Sequence, residues 1–232
     1  MTDPRRFFYR LTPQERGELL AIAHVRRFRD GQYLTRQGEA FANVALIRQG
    51  RAKVVASTSD GRRTILMVCG VGDLVGGSDY YAGGTCLASI VAAGPTEAAV
   101  VDRDAFAGLL RRCPRIAQEI ARGLNEQLVW ANRRRIADSL PVTVRTAQVL
   151  LDLHHSATPN PPSDQSRPPI DVPFTQRELA ELIGAAEVSV QKALRELAEA
   201  GLVVRRYGRT SIPHPDRMQR FLDEACGIHP VT

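Results

Sequence analysis

Cysteine is scarce in this 232-residue chain and nowhere clustered. Cys69, Cys86, Cys113 and Cys226 stand far apart, with no Cys-x-x-Cys pair among them. That spacing argues against a zinc or iron–sulfur site, so no metal is expected. Four free thiols, mostly buried, are expected in a reducing compartment. No apolar run reaches the ~18 residues of a membrane span, so no membrane partner is expected. The opening stretch MTDPRRFFYRLTP has arginines but neither an apolar core nor a small-residue cleavage site. It does not read as a secretory signal, and a cytoplasmic location is expected. The spacings of catalysis are missing as well. There is no nucleophile beside a base, no metal-ligand set and no motif-spaced pair of carboxylates, and the chain is not expected to be an enzyme.

Basic residues are missing from one long stretch: no Lys or Arg lies between Arg63 and Arg103. The net charge of +6 is spread unevenly. Residues 1–102 carry 13 Lys+Arg against 10 Asp+Glu, residues 103–141 carry 8 against 4, and residues 142–232 carry 10 against 11. The last part thus has no bulk positive charge. Any nucleic-acid contact made there must rest on where individual cations are placed.

What is present is clearest at residues 175–197, TQRELAELIGAAEVSVQKALREL. Thr175 and Glu178 have the spacing of a capping box, in which each side chain satisfies an orphan amide of a helix's first turn. Leu179, Leu182 and Ile183 form an apolar stripe. Gly184 stands where a helix ends in a left-handed conformation. A second helix restarts near Glu187, with Val190, Leu194 and Leu197 on its inner face. Two short helices joined by a glycine turn make a helix-turn-helix. The face of the second helix opposite its stripe carries Glu187, Val188, Ser189, Gln191 and Lys192. These supply the acceptors, donors and small apolar surface that base edges require. GLVVRRYGRTSI (201–212) then reads as two short strands around Tyr207-Gly208, with Arg205, Arg206 and Arg209 near the turn. A helix-turn-helix followed by a basic hairpin is a winged helix, so double-stranded DNA is the expected partner.

Taken in order, LTPQERGELLAIAH (11–24) predicts a helix capped by Thr12, with Pro13 in the first turn and Glu15 completing a capping box. From Val25 to about residue 103 the pattern is short strands punctuated by glycine, which predicts an antiparallel barrel or sandwich. A helix opens at Asp102 or Asp104. A longer one follows from about 114 to 139, roughly 37 Å at 1.5 Å per residue. Its narrow seam of Ile116, Ile120, Leu124, Leu128 and Ala131 predicts a partner helix and hence a homodimer. Pro141 marks a hinge, and TVRTAQVLLDLHH (143–155) is a further helix with Ala147, Leu150 and Leu151 on one face. Residues 156–169, rich in Pro, Ser, Asn and Asp, predict an exposed loop. IDVPF (170–174) reads as a short strand, and DRMQRFLDEAC (216–226) as a last helix.

With this order in place, the chain resembles the Crp/Fnr family of bacterial transcription regulators. The resemblance runs from about residue 20 to 215. It is carried by FRDGQYLTRQGEAFANVALIRQGRAKV (28–54), RTAQVLLDL (145–153) and FTQRELAELIGAAEVSVQKALRELAEAGLV (174–203). It implies an α+β fold: a cyclic-nucleotide-binding-like antiparallel β-barrel of jelly-roll type over 1–113, a dimerisation helix over 114–140 and a winged helix-turn-helix DNA-binding domain over 141–232. It also implies a homodimer on a two-fold symmetric DNA site, with RNA polymerase as a further partner.

The departures from the family pattern concern the effector. Nucleotide-binding members carry Gly-Glu and, about ten residues on, Arg with Ser or Thr. In such a cassette the arginine pairs with the cyclic phosphate and the carboxylate holds the ribose hydroxyl. Here Gly76 and Gly77 stand at the first pair and Cys86 and Leu87 at the second, with Ala131 and Asn132 at the positions that meet the purine and Trp130 beside them as a further candidate for lining the pocket. A phosphate buried there would lack a counter-charge. Cyclic AMP is therefore not the expected effector, no cofactor is expected, and the effector is left unidentified. An iron–sulfur branch of the family uses an N-terminal cysteine cluster, and residues 1–30 contain no cysteine. On the second helix, Glu187, Val188 and Lys192 align with base-reading positions beside Gln191. Gln176, Arg177, Ser189 and Arg209 align with phosphate contacts. A second reading is kept: a regulator whose barrel binds a non-nucleotide ligand or senses oxidation through Cys69 or Cys86, and needs that signal to bind DNA.

Overall fold

The computed structural model describes residues 6–157, 171–172, 174–206 and 209–226. Its elements in order are α1 (Phe7–Arg10), α2 (Pro13–Ala21), β1 (His24–Phe28), β2 (Tyr33–Thr35), β3 (Asn43–Gln49), β4 (Ala52–Ser57), β5 (Arg63–Cys69) and β6 (Leu74–Val75). Then come α3 (Gly77–Ala82), β7 (Ser89–Ala92), β8 (Thr96–Asp102), α4 (Arg103–Arg112), α5 (Pro114–Ala137) and α6 (Val142–Ala157). The chain ends with β9 (Asp171–Val172), α7 (Gln176–Ile183), α8 (Glu187–Glu199), β10 (Val204–Arg206), β11 (Arg209–Ser211) and α9 (Pro215–Cys226). It divides into two units, Met1–Asn132 and Arg133–Thr232, and the division falls within α5.

The first unit is built on two four-stranded antiparallel sheets, ordered β1-β8-β3-β6 and β2-β7-β4-β5. The first sheet is covered on both faces, which explains its unbroken apolar runs. Ala45 and Ile47 of β3, with Ala98 and Val100 of β8, join Phe28, Ala52, Val75 and Ile90 in one core. The alternate residues Val44, Leu46, Ala99 and Val101 join a second core with Phe7, Leu19, Phe106, Leu109, Ile116 and Ile120 of the helices. Gly50 turns β3 into β4 at φ +76°, and a Cβ there would lie 2.3 Å from the Pro95 carbonyl oxygen, so no other residue fits.

The N-terminal helices are clamped to α5. Thr12 and Glu15 form the expected capping box at the start of α2. Arg115 Nη1 reaches Glu15 Oε2 at 2.6 Å, and Arg10 Nε lies 3.0 Å from Glu119 Oε2. These pairs answer one question about the long helix. Ile116 is 0% and Ile120 5% exposed, and Leu124 is half-buried against the same core. The expectation that Ile116 and Ile120 face a second copy is therefore corrected: the seam's first two turns belong to the protein's own core. Helical periodicity identifies a buried face without identifying what buries it. Farther along, Leu128 is 58% exposed and Ala131 is exposed.

In the second unit α6 packs against α7, α8 and α9, and a three-stranded antiparallel sheet runs β10-β11-β9. Ala147, Leu150, Leu151, Leu179, Leu182, Val190, Leu194, Leu197, Leu202 and Met218 are all buried. The loop expected at 156–169 lies outside the described residues beyond its first two positions, which end α6.

Candidate functional site

Two places carry the candidate residues, one in each unit. In the second unit the device is α7, a turn and α8. The Glu178 amide donates to Thr175 Oγ1 at 3.2 Å, and the Thr175 amide donates to Glu178 Oε2 at 2.9 Å. This box fixes where α7 starts. It ends at Gly184, φ +70°, where the Gly184 and Ala185 amides both donate to the Ala180 carbonyl, at 2.9 and 3.1 Å. Arg145 Nη1 donates to the Ile183 carbonyl at 3.3 Å and ties this turn to α6.

Helix α8 follows with Ala186 at its N-cap, which makes no side-chain cap hydrogen bond. Its first-turn amides are thus left for an outside acceptor. Glu187 and Val188 are exposed, Val188 at 77%, while Ser189 and Gln191 are half-buried. The Lys192 side chain is exposed, with Nζ 3.9 Å from Glu196 Oε1. Val190, Ala193, Leu194 and Leu197 hold the opposite face in the core. Val188 thus presents a small apolar surface beside charged groups. Arg177 is exposed and weakly paired with Glu181 at 3.3 Å, and Gln176 is half-buried. In the wing, Arg206 pairs with Arg209 across β10 and β11, and Arg205 with Thr210. The Tyr207-Gly208 turn and the side chains of Arg206 and Arg209 lie outside the described residues.

In the first unit the second place is the turn around α3. Gly76 and Gly77 are buried there. Gly76 has φ +85°, and a Cβ on it would lie 3.1 Å from the Asn43 carbonyl oxygen. A Cβ on Gly77 would lie 3.3 Å from Ile120 Cγ2. The space in which a glutamate would start is thus already bounded by α5. Cys86 is buried and Leu87 is 60% exposed. Leu87 is tied to α3, which Gly76 precedes and Gly77 opens, through the hydrogen bond from its amide to Asp79 Oδ1. Trp130, Ala131 and Asn132 are ten to twelve residues beyond Ile120, roughly 15–18 Å along the helix. Trp130 is half-buried, and Ala131 and Asn132 are exposed.

The residue that sequence reasoning missed is Asp79. It is 4% exposed, and its Oδ1 accepts the Leu87 amide at 2.9 Å. Burial raises its pKa above the usual aspartate range, against the lowering effect of that hydrogen bond. Burial likewise pushes up the Cys86 thiol, helped by Asp79 and Glu39, and pushes up the Cys69 thiol, helped by Asp73. Among the described residues, no group of three or more His, Cys, Asp or Glu is placed to hold a metal ion. No helix among them is long and apolar enough to cross a membrane.

Comparison with known proteins matches both places. Residues 25–113 match the cyclic nucleotide-binding domain, and residues 144–221 match the Crp-like helix-turn-helix domain. The chain is 28% identical over 178 residues to the CRP-like cAMP-activated global transcriptional regulator of Mycobacterium tuberculosis, covering 76% of this chain and 78% of that one. It is also 28% identical to the cyclic AMP receptor protein of Thermus thermophilus, covering 84% and 87%. Among solved structures it is similar to the c-di-GMP responsive global regulator CLP of Xanthomonas campestris, with a TM-score of 0.72, 22% identity, and 87% and 99% of the two chains covered.

Proposed function

Because the chain belongs to the Crp/Fnr family of DNA-binding transcription regulators, we propose that it works in the cytoplasm as a homodimer reading a two-fold symmetric DNA site without cyclic AMP. The observation that carries this reading is the outward face of α8. There Glu187, Val188 and Lys192 project at the uncapped end of a helix whose other face is locked in the core. In a major groove, Lys192 meets guanine O6 or N7, Glu187 accepts from cytosine N4, Val188 meets a thymine methyl, and Gln191 offers its amide. Gln176, Arg177, Ser189 and Arg209 take the phosphates and set the register. The dimer seam begins where α5 leaves its own core, at Leu128, Val129 and Ala131. RNA polymerase is the partner through which such a regulator acts.

Independence from cyclic AMP is supported by the turn around α3. No Lys or Arg occurs between Arg63 and Arg103 to meet a buried phosphate. The competing thiol-sensing reading meets a physical obstacle, since burial holds Cys69 and Cys86 protonated and thiolate is the reactive form. Loss of DNA binding on alkylation of Cys69 or Cys86 would restore that reading.

The test is selection of binding sites from random DNA by the purified protein, with no ligand and at near-physiological salt. The expected result is an inverted repeat with half-sites about 10 base pairs, or 34 Å, apart. Recovery of no sequence would sink the effector-free reading.

A further inference from the structure

The turn between α3 and β7 is tied to α3 and to residues 38–41. Asp79 Oδ1 accepts the Leu87 amide at 2.9 Å. The preceding amide, that of Cys86, donates to the Glu39 carbonyl at 2.8 Å, and the Cys86 carbonyl accepts from the Gly38 amide at 2.8 Å. The Phe41 amide donates to the Gly84 carbonyl at 2.9 Å, and Ala40 bridges Thr85. Two consecutive amides, Cys86 and Leu87, are thus both used by the chain's own oxygens. Consecutive backbone amides are what a turn offers an anion. One of these is already held by a carboxylate 4% exposed. A phosphate arriving here would lose the donors and face a like charge at short range. The side facing α5 is bounded too, because Ile120 Cγ2 sits where a Gly77 side chain would begin.

The geometry points to Asp79 as a built-in anion: its carboxylate fills the anion-holding place of this turn, keeps the turn joined to α3 without an effector, and makes the domain reject phosphorylated ligands. Asp79 is then the residue that sets what the barrel excludes. The inference rests on the reading of this barrel as an effector domain that works without cyclic AMP.

The experiment uses the full-length protein as wild type, Asp79→Asn and Asp79→Ala. Hydrogen exchange is followed over peptides spanning residues 83–90, and affinity for the selected DNA site is measured in parallel. The probes are acetate, cyclic AMP, and chloride at matched ionic strength. The wild-type turn should be protected and unmoved by cyclic AMP. In Asp79→Ala the Leu87 amide should exchange about tenfold faster or more, as expected on losing a hydrogen bond to a charged acceptor. Tens-of-millimolar acetate should slow it again, because a free carboxylate takes the same place, and chloride should not. Asp79→Asn keeps an oxygen acceptor and should fall between. Wild-type exchange in Asp79→Ala would overturn the proposal. So would fast exchange that acetate leaves unchanged in a variant of normal melting temperature, or protection of the wild-type turn by cyclic AMP. If Asp79→Ala fails to fold, Asp79→Asn decides: faster exchange than wild type supports the proposal and equal exchange sinks it. The DNA arm separates the two readings. A wild type that selects no DNA but shows acetate-reversible exchange in Asp79→Ala keeps the built-in anion and removes the effector-free regulator.

Discussion

Helix α8 and the turn around α3 treat their polar groups in opposite ways. Helix α8 locks Val190, Leu194 and Leu197 inside and leaves Glu187, Val188 and Lys192 exposed with an uncapped N-terminus. The α3 turn buries Asp79 and uses the Cys86 and Leu87 amides on its own oxygens. One site is anchored in the core and left open; the other is hydrogen-bonded and filled. Each sits in a domain that matches a known family model, and a fold alone does not say whether a ligand enters. The side chains at a few positions decide that.

The comparison is broken most directly through α5, whose start is core and whose continuation is exposed. Ile116 is 0% and Leu128 58% exposed. Ile116→Ala should destabilise the first unit by about 2–5 kcal/mol, the range for emptying a buried aliphatic position. Leu128→Ala should change the stability of the isolated protomer by less than about 0.5 kcal/mol, and instead weaken self-association. Urea unfolding and sedimentation check the pair. Equal stability losses would mean that both residues serve one core. Undiminished association in Leu128→Ala would move the dimer seam elsewhere.

A smaller effect sharpens the open site. Lys192→Ala should cost about 1–3 kcal/mol of DNA affinity and relax preference at one base pair. Its pairing with Glu196 at 3.9 Å is a surface contact worth little, so it does not hold Lys192 back. Arg177→Ala should weaken all sequences alike and reduce the salt dependence. Uniform loss in Lys192→Ala would reassign it to the phosphates. Smaller again is the frame beneath that site. Thr175→Ala removes the cap of α7 and should cost about 1 kcal/mol of stability, read from thermal unfolding. No change would mean that Glu178 alone holds the first turn.

How much of this was legible in sequence follows from the range of each interaction. The capping boxes at Thr12 and Thr175 and the stop at Gly184 are local, and both boxes and the left-handed glycine are in place. The strands of β3, β4, β5 and β8 announce themselves by β-branched runs between glycines. The four-residue α1 and the two-residue β6 are too short to carry a period. Ile116 and Ile120 read in sequence as a partner seam although they belong to the protein's own core, because a seam looks the same whether a barrel or a second helix covers it. The Asp79–Leu87 contact was invisible because it depends on α3 and the following turn bringing two unremarkable residues together across eight positions. The missing arginine was readable; what stood in place of the ligand was not.

The smallest prediction concerns the filled site alone. Burial raises the Asp79 pKa, against its hydrogen bond from Leu87. In the unfolded chain the same carboxyl ionises near the ordinary value of about 3.9. Between those two values the folded protein holds a proton that the unfolded chain has released. Stability therefore falls as pH rises through that window, and the cost is complete above the raised value. Glu15 works the other way: its own burial raises its pKa, but the Thr12 hydrogen bonds and Arg115 outweigh this and lower it, so it loses stability as pH falls. Raw pH profiles mix the two. The difference between wild type and Asp79→Asn removes Glu15, which both proteins share. That difference should shift in favour of the asparagine variant as pH rises above the ordinary aspartate value of about 3.9, measured as urea midpoints at constant ionic strength. Parallel profiles would mean that Asp79 titrates like an exposed carboxylate, and the contrast between a filled α3 turn and an open α8 face would lose its electrostatic basis.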